Sequence, residues 1–475
     1  MGTAAKTGRG RVRLNVGGRV FETTADTLAS AGRDTMLGAM LDASWNAGGG
    51  HDDAAGEATC REYFIDRDPA CFAVLLDLLR TGALHLPPGL PEATLCREAL
   101  YYGLLDRVRA ARAGEFDGDR LRLAASVPGR APGDGTAVRA APDGGCCVAH
   151  GGAVRVYNWR LEERRPVYLD HAPVNDAAYL DAATLLVAAR ESPGSNRRVS
   201  DGGVAAFSAL TGELRHRFRV AHGRQPRSFT AGALELDSGT NRAFASCKGR
   251  LNEYGVGVWD CATGAQAGFF YEPPGCALGD ADKLQWLDAT NTLMAATMFP
   301  RADASSLALL DFRDDDSKRV VWSWTDARTP ASLDEKHAVH AVALEDGRTV
   351  CVVNQYDDLG FLDLRKNAAC VRWSARSKLL TASASGKKKE AAAARGYEQE
   401  TCYPKLAAHG GRLFASSNDT ISVFSGPDHV LTSTLRGSGG GGAICDFSIG
   451  GDRLFALHNE ENVFDVWETT PPAII

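Results

Sequence analysis

Three short stretches of the chain carry residue types that could do chemistry, and the first is a glycine motif formed by Gly437, Gly439 and Gly442. Its G-x-G-x-x-G spacing is typical of a loop that holds a dinucleotide pyrophosphate against the N-terminus of a helix. That chemistry requires a helix directly after the motif. The residues that follow have the pattern of a β-strand, so the sequence predicts a flexible linker and no cofactor site.

Two histidines, His337 and His340, lie three residues apart in the stretch HAVH and are candidates for zinc ligands. A zinc protease would need two histidines four residues apart on a helix, with a glutamate between them. The neighbouring residues alternate as in a strand, which predicts that the two side chains point to opposite faces. We therefore predict that they are not metal ligands.

The densest acidic run, Asp314-Asp315-Asp316, is a candidate for calcium or magnesium. It lacks the ordered oxygen ligands of a calcium loop, so the sequence predicts a solvated turn. The chain has no P-loop and no G-x-S-x-G motif, and no pair of residues has the pattern of a general acid and base. We therefore predict a protein that is not an enzyme and holds neither a metal nor a cofactor.

The composition allows more than one hydrophobic core. The chain has 475 residues, of which 44% are apolar, and common domains have ~100 to 200 residues. The net charge is −6 and Lys387-Lys388-Lys389 is the only basic run, so nucleic-acid binding is disfavoured. No apolar run reaches the ~18 residues that span a bilayer, and the first residues contain no signal-peptide core. The 12 cysteines form no C-x-x-C pair, so we predict reduced thiols in a cytoplasmic protein, with the nucleus as the alternative location.

The elements that organise the chain begin with the stretch RVRLNVGGRVFETT, residues 11–24. Apolar and polar residues alternate as far as Val16, as in a half-buried strand. Gly17-Gly18 supplies a turn that needs residues tolerant of positive φ. Val20 and Phe21 follow on a second strand, so the sequence predicts a hairpin.

A third strand is predicted to end at Ile65, and a helix follows it. Asp68 is the predicted N-cap, Pro69 the first helical residue and Gly82 the C-terminal stop. The spacing predicts that the apolar face of this helix consists of Phe72, Leu75, Leu76 and Leu79.

Further helices are predicted before and after it. Two short ones cover residues 26–31 and 35–41, with Met36, Leu37, Met40 and Leu41 as a buried face, and residues 44–58 are predicted to form a mobile loop. A longer helix is predicted over residues 91–105, with Leu95, Leu100, Leu104 and Leu105 as its apolar residues. Arg107, Arg109 and Arg112 are predicted to extend it as a solvated tail.

Three blocks of this region together resemble the BTB/POZ domain of the potassium-channel tetramerisation subclass. They are LNVGGRVFETTADTL (14–28), FIDRDPACFAVLLDLLRTG (64–82) and EALYYGL (98–104), in the family's order and at about its spacing. The resemblance implies self-association through an α+β domain and, in many relatives, docking to a cullin scaffold. The residues that carry it, and to which it assigns the fold and oligomerisation, are Asn15, Val16, Gly17, Gly18, Phe21, Thr24, Leu28, Phe64, Asp66, Arg67, Asp68, Phe72, Leu79, Arg80, Gly82, Tyr102 and Gly103.

Beyond residue 120 the helical period disappears, and a loose unit of apolar strands and Gly or Asp turns recurs seven times. The 51 glycines fit many turns, because about 7% of the residues would give roughly 33. The units cover residues 146–159, 184–214, 242–266, 292–315, 349–365, 412–426 and 453–468. One unit alone leaves a sheet face unburied, so we predict that seven blades pack side by side in a closed β-propeller.

The units resemble degenerate WD-type repeats, because third strands end in Val258-Trp259-Asp260 and in Val466-Trp467, while the paired Gly-His of those repeats is mostly absent. Residues 121–125, LRLAA, are predicted to supply the outer strand that closes the last blade onto the first. The tryptophans of the repeats are predicted to fill the core between blades, with one or two left on a ring face. They are Trp159, Trp259, Trp286, Trp322, Trp324, Trp373 and Trp467.

The predicted fold class is an α+β BTB/POZ domain followed by an all-β propeller of seven blades. The predicted boundaries are a disordered tail at 1–10, the BTB/POZ domain at 11–112, a linker at 113–120 and the propeller at 121–470. A low-complexity insert is predicted at 377–400, and a flexible connection at 437–442.

The predicted function is that of an adaptor that performs no catalysis. The resemblance implies that the N-terminal domain joins copies of the chain and docks a cullin, while the propeller recruits an unknown target protein to a cullin-RING ubiquitin ligase. Two alternatives stay open. One is an oligomeric scaffold or auxiliary subunit without a ubiquitin role. The other is a propeller enzyme, which would need inward-facing carboxylates or histidines around the central channel.

Overall fold

The chain forms two compact units in a computed structural model, residues 1–114 and 115–475. The structure describes residues 11–32, 35–40, 61–112, 116–129, 135–169, 173–190, 203–222, 225–227, 229–237, 239–249, 254–274, 276–300, 302, 304–313, 319–326, 337–366, 371–374, 402–439, 441–459 and 463–469. The predictions for 1–10, 44–58, 113–115, 314–316, Leu41 and 377–400 lie outside these residues.

The first unit is a three-stranded sheet covered by helices, in the strand order β2-β1-β3. The predicted hairpin is confirmed, with β1 (Arg11–Val16) antiparallel to β2 (Arg19–Thr24), and β3 (Arg61–Ile65) runs parallel to β1. Alternation sets the faces of β1, since Val12, Leu14 and Val16 are buried. The helices are α1 (Ala25–Ala29), α2 (Met36–Ala39), α3 (Pro69–Thr81), α4 (Glu92–Tyr102) and α5 (Leu105–Arg112).

Helix α3 begins and ends as its sequence predicts. The Asp68 carboxylate accepts the Ala70 N–H at 2.8 Å, Pro69 is the first helical residue, and Gly82 takes the left-handed conformation with φ of 76°. The predicted apolar face needs one correction. Leu79 is only partly buried, whereas Leu78 is 5% exposed and belongs to the core.

The helix predicted over residues 91–105 is wrong in its length. Helix α4 ends at Tyr102, Gly103 takes the left-handed conformation with φ of 73°, and α5 begins at Leu105. The predicted polar tail is therefore a separate helix. A side chain at Gly103 would lie 3.2 Å from Thr35 Cα, so this break is also a point of close packing. Leu100, predicted as apolar core, is 55% exposed.

The second unit contains seven four-stranded antiparallel sheets within the described residues. We number the sheets I to VII and order the strands of each from innermost to outermost. Strand β4 (Leu121–Val127) comes first in the chain. Sheet I is β5 (Gly135–Ala140), β6 (Cys146–His150), β7 (Ala153–Tyr157) and β8 (Val167–Tyr168). Sheet II is β9 (Val174–Asp181), β10 (Thr184–Ala189), β11 (Gly203–Ser208) and β12 (Leu214–Phe218). A small hairpin, β13 (Val220–His222) and β14 (Gln225–Arg227), follows.

The remaining sheets have the same order. Sheet III is β15 (Phe229–Asp237), β16 (Arg242–Gly249), β17 (Tyr254–Asp260) and β18 (Gln266–Tyr271). Sheet IV is β19 (Lys283–Leu287), β20 (Thr292–Thr297), β21 (Ser306–Asp311) and β22 (Arg319–Thr325). Sheet V is β23 (Ala338–Ala343), β24 (Thr349–Asn354), β25 (Leu359–Asp363) and β26 (Arg372–Trp373). Sheet VI is β27 (Leu406–His409), β28 (Arg412–Ser417), β29 (Thr420–Ser425) and β30 (Val430–Arg436). Sheet VII is β31 (Ile444–Gly450), β32 (Arg453–His458), β33 (Phe464–Thr469) and β4.

The sheets form a ring in which each innermost strand contacts the innermost strand of the next sheet, and β27 contacts β31. The predicted closing strand is confirmed, because β4 pairs antiparallel with β33 and completes sheet VII from the opposite end of the chain. The tryptophans lie inside the ring wall. Trp259 and Trp467 are fully buried, Trp322 and Trp324 nearly so, and Trp159, Trp286 and Trp373 are partly buried. Since three of the seven are partly exposed, the suggestion that one or two lie on a ring face stays a prediction.

The second half of the predicted linker, residues 116–120, packs against sheet VI. Phe116 lies 5.8 Å from the Phe414 ring, and Asp117 and Asp119 form ion pairs with Arg412 at 3.0 and 2.7 Å. These residues therefore belong to the second unit. Within the described ranges, all ten cysteines are free and no helix is long and apolar enough to cross a membrane.

Candidate functional site

An apolar row lies on the outward face of the N-terminal sheet. Asn15 pairs in register with Val20 on β2 and with Phe64 on β3, so the three side chains share one face. Val20 is 50% exposed and Phe64 is 68% exposed. Asn15 Oδ1 is buried between them without a hydrogen-bond partner. We call these three residues the sheet-face row.

Several other motif residues build the interior of this unit. Phe72 is fully buried and stands between Phe21 and Tyr102, with ring centroids 5.1 and 5.2 Å away. Thr24 caps α1, since its hydroxyl accepts the Thr27 N–H at 3.2 Å. Val16 and Leu28 are also fully buried. These positions serve the fold.

The charged motif residues hold neighbouring elements together. Arg67 lies 3.6 Å from the Glu98 carboxylate and 3.8 Å from the centre of the Tyr101 ring, which links the start of α3 to α4. Arg80 donates to the Glu22 carbonyl at 2.7 Å and links α3 to β2. Asp66 is exposed in the turn before α3.

Gly17 explains why this motif requires glycine in the hairpin. Its φ is 53°, and a side chain there would lie 2.5 Å from the Arg67 carbonyl oxygen. Its N–H donates to Ile65 at 2.9 Å. Gly18, at φ of 88°, has open space around it. The motif residues thus lie in the interior of the unit, in contacts between its elements, or in the turn. Among the predicted motif residues, only Phe64 has a large apolar side chain that is exposed in the sheet-face row.

The second unit encloses a cavity of about 350 Å³ in its central channel, lined by residues of all seven sheets. Side chains of the innermost strands hold the ring together here by accepting the backbone N–H of the next innermost strand. Asp446 accepts from Val138 at 3.0 Å, Asp176 from Leu234 at 3.0 Å, Glu235 from Trp286 at 3.3 Å, Gln285 from Ala343 at 2.8 Å and His340 from Leu406 at 3.2 Å.

One arc of the channel, formed by sheets VII, I and II, is neutralised by ion pairs. Arg139 on β5 contacts Asp176 on β9 at 2.6 Å and Asp446 on β31, so one guanidinium bridges three sheets. These two carboxylates raise the pKa of Arg139 against the opposing effect of its burial. Since each carboxylate also accepts a backbone N–H, the arc is a structural clasp.

The opposite arc, formed by sheets III to VI, carries Glu235, Asp282, Lys283, His340 and Lys405. Burial raises the pKa of Glu235 to about 7, although the nearby Lys283 acts to lower it. Burial, and then the positive charges of Lys405 and Lys283, lower the pKa of His340 well below its usual value. Within the described residues, the side-chain ammonium group of neither lysine makes a hydrogen bond or an ion pair.

The sequence predicts a central channel but not the residues that line it. The signal that was available is a charged residue within otherwise apolar strands, as in DKLQWL around Lys283 and AVHAVA around His340. That these residues line one channel becomes visible only when the innermost strands are arranged in a ring.

The three stretches considered first for chemistry have other roles. A strand, β31, follows the glycine motif, which confirms that no helix is there to hold a dinucleotide. Side chains at Gly437 and at the neighbouring Gly441 would lie 2.1 Å from Asp465 and 2.9 Å from His458, whereas Gly439 has open space around it. The flexible connection at 437–442 stays a prediction. The His337 ring stacks on Phe299 at 4.8 Å, whereas His340 lines the channel. The described residues include no group of three or more His, Cys, Asp or Glu that could hold a metal ion.

His458 and Asp465 form a buried pair at the ring closure. His458 Nε2 lies 3.1 Å from Asp465, and its Nδ1 lies 2.9 Å from the Gly442 carbonyl oxygen. Both ring nitrogens face acceptors, which only the imidazolium satisfies fully. Burial disfavours that charge, but the hydrogen bonds to Asp465 and Gly442 outweigh it, so the pKa of His458 is raised. Ser126 on β4 donates to Asp465 and not to His458, so the trio ties β4 to the ring and is not a catalytic triad.

Comparison with known proteins agrees with both units. Residues 12–110 match the BTB/POZ domain family and residues 129–469 match the family described as At2g24240-like, C-terminal beta propeller. The chain belongs to the BTB/POZ proteins with a C-terminal β-propeller. The BTB/POZ domain-containing protein At2g24240 of Arabidopsis thaliana is 56% identical over 465 residues, which cover 98% of this chain and 99% of that protein. At4g30940 of the same plant is 53% identical over 467 residues, with the same coverage of 98% and 99%.

The BTB/POZ part of this BTB/POZ propeller protein has relatives of another kind. The potassium voltage-gated channel protein Shal of Drosophila melanogaster is 33% identical over 103 residues, which cover 22% of this chain and 16% of that protein. The predicted resemblance to the potassium-channel type of BTB/POZ domain is thus confirmed. A BTB/POZ domain followed by a propeller is the organisation of a protein-interaction adaptor.

Proposed function

We propose that this BTB/POZ propeller protein is a homo-oligomeric adaptor that recruits a target protein to a cullin-RING ubiquitin ligase. In this proposal residues 11–112 join copies of the chain and dock the cullin, and residues 121–470 form a seven-bladed propeller that binds the target. Several propellers in one particle raise the effective concentration at the target, so modest individual affinities give high avidity. The proposed location is the cytoplasm, with the nucleus as the alternative.

The observation that supports assembly is the sheet-face row. Phe64 and Val20 are 68% and 50% exposed, and they flank Asn15 on the same sheet face. Covering large apolar side chains stabilises an association by roughly 25 cal/mol per Å² of apolar surface removed from water. In the proposed oligomer, the BTB/POZ domain of a second copy covers the sheet-face row.

The test is the mass of the particle. Phe64→Asp should convert the oligomer of the full chain to smaller species in light scattering at micromolar concentration, because an interface would bury the new charge. Tyr168→Asp is the matched control, since Tyr168 on β8 is also 68% exposed but lies in the propeller. A wild-type chain that is monomeric, or a Phe64→Asp chain with unchanged mass, would contradict the proposed role of the row.

The ubiquitin role is tested separately. A purified cullin N-terminal domain should bind the full chain in solution, and Tyr168→Asp should not weaken this binding. An oligomeric chain that fails to bind the cullin would favour the alternative of a scaffold or auxiliary subunit.

The channel keeps the second alternative, a propeller enzyme, open. It contains the inward-facing carboxylates and histidines that such an enzyme needs, among them Asp176, Glu235 and His340. All three accept backbone N–H groups across sheets, which gives them a structural role first.

A further inference from the structure

The channel arc formed by sheets III to VI differs from the opposite arc because its two ammonium groups make no close ion pair, although Lys283 acts electrostatically on Glu235. Lys283 lies on β19 and Lys405 directly precedes β27, and both line the cavity of about 350 Å³. Neither side-chain ammonium group makes a hydrogen bond or an ion pair within the described residues, whereas Arg139 in the opposite arc contacts two carboxylates. Burial favours the neutral form of Glu235, and Asp282, the other carboxylate of this arc, accepts the Met298 N–H at 2.7 Å. The two ammonium groups therefore favour an anion in this part of the cavity.

His340 lies on sheet V, between sheets IV and VI that carry the two lysines, and adds a hydrogen-bond donor to the cavity. Its Nδ1 accepts the Leu406 N–H at 3.2 Å, so the neutral imidazole carries its proton on Nε2. The lowered pKa of His340 keeps it neutral, and its ring is 8% exposed. Lys283, His340 and Lys405 therefore offer hydrogen-bond donors from three consecutive sheets.

Glu235 decides which anion fits this set. It lines the same cavity, and its pKa of about 7 allows it to donate or accept a proton near neutral pH. A phosphate monoester also exchanges its second proton near pH ~6, so one proton can be shared between the carboxylate and the phosphate. Sulfate has no such proton. The cavity volume is within the roughly 300 to 1,000 Å³ of small-molecule sites.

We propose that the propeller channel binds phosphate or a small phosphate monoester, with Lys283, His340 and Lys405 as donors to the phosphate oxygens and Glu235 sharing its proton. The lysines act as compact point charges, the mode in which lysine commonly binds phosphate. The site does not depend on oligomerisation or on a cullin.

The test is calorimetric titration of the full chain at pH 7 with three probes: inorganic phosphate, glucose 6-phosphate and sulfate. Phosphate and glucose 6-phosphate distinguish a free anion from a phosphorylated metabolite as the preferred ligand, and either one supports the proposal. Each should bind more tightly than sulfate. Lys283→Gln and Lys405→Gln should each weaken phosphate binding by about tenfold or more, because a charge-assisted hydrogen bond is lost.

Two further variants separate binding from folding. Lys366→Gln removes the same charge from a side chain that is 73% exposed beside Asp363, and should bind phosphate like wild type. Lys405→Arg keeps the charge and should retain most of the affinity. The proposal is overturned if wild type gives no saturable binding at about 20 mM phosphate, if sulfate binds as tightly as phosphate, or if the two glutamine variants bind like Lys366→Gln.

Discussion

The buried pair at the ring closure allows a quantitative prediction for Asp465→Asn. His458 and Asp465 have side chains that are 1% and 0% exposed, and Asp465 also accepts from Ser126 on β4. The asparagine keeps the shape but removes the charge that holds His458 as an imidazolium. Breaking a buried ion pair by neutralising one partner costs about 3 to 5 kcal/mol. We expect the lower end, about 3 kcal/mol, because His458 can lose its proton in response.

The pH dependence follows from the direction of the His458 pKa. The folded pKa lies above the unfolded value of 6.5, so the folded state binds more protons between these two values. The pair therefore contributes its full stability below pH 6.5 and loses it as the pH rises through the folded pKa. In the variant this part of the pH dependence should disappear, so the gap to wild type should be large at pH 6 and small at alkaline pH.

The assay is urea unfolding of the full chain followed by tryptophan fluorescence, since Trp467 on β33 is 1% exposed beside the pair. With an unfolding entropy of about 2 cal/mol/K per residue over roughly 350 residues, 3 kcal/mol corresponds to a fall of about 4 °C in the melting temperature. Asp363→Asn is the control, because Asp363 pairs with Arg365, which is 66% exposed, and solvent screens such pairs so that they contribute little to stability. Equal stability of Asp465→Asn and wild type at pH 6, or a gap that grows with pH, would refute this reasoning.

Three further predictions concern other parts of the fold. Arg139→Met should lower the free energy of unfolding by about 2 to 4 kcal/mol in urea titrations, because it leaves two partly buried carboxylates without a counter-charge; addition of Asp446→Asn should recover part of this loss. Gly17→Ala should lower protection from amide hydrogen exchange in β1 by about 2 kcal/mol or more, because the residue has positive φ and the methyl group would meet the Arg67 carbonyl. Deletion of residues 121–127 should expose the edge of β33 and lower the melting temperature, or produce higher-order association, as read by calorimetry and light scattering.

The sequence predicts the elements whose signals are local. Asp68 and Pro69 set the start of α3 and Gly82 sets its end, because each acts on the helical turn next to it. The structure has α3 with these ends. The break between α4 and α5 was missed because Gly103 lies within a continuing apolar pattern. What requires glycine at this position is the approach of Thr35, which is distant in the sequence.

In the propeller, the predicted units coincide with the second and third strands of each sheet. Many residues of these strands are buried, and β10 and β11 are buried along their whole length, so they appear as apolar runs in the sequence. Most outermost strands were not assigned because they are largely exposed, as in β12 with the sequence LRHRF, and β4 is the exception. The innermost strands were not recognised as parts of the repeated unit, because charged residues of the channel interrupt their apolar pattern.

The polar and charged residues of the channel differ in whether they hold neighbouring sheets together. Asp446, Asp176, Glu235, Gln285 and His340 each satisfy a backbone N–H of the next sheet, and Arg139 neutralises two of the carboxylates. The ammonium groups of Lys283 and Lys405 form no hydrogen bond or ion pair with the described residues, and the effect of Lys283 on Glu235 does not overcome the burial that raises the pKa of that carboxyl. Placing ammonium groups in a confined channel has a desolvation cost. Apolar or amide side chains of similar length would fill the same positions without that cost. The two lysines are therefore explained better by an anion that enters the channel than by the stability of the ring.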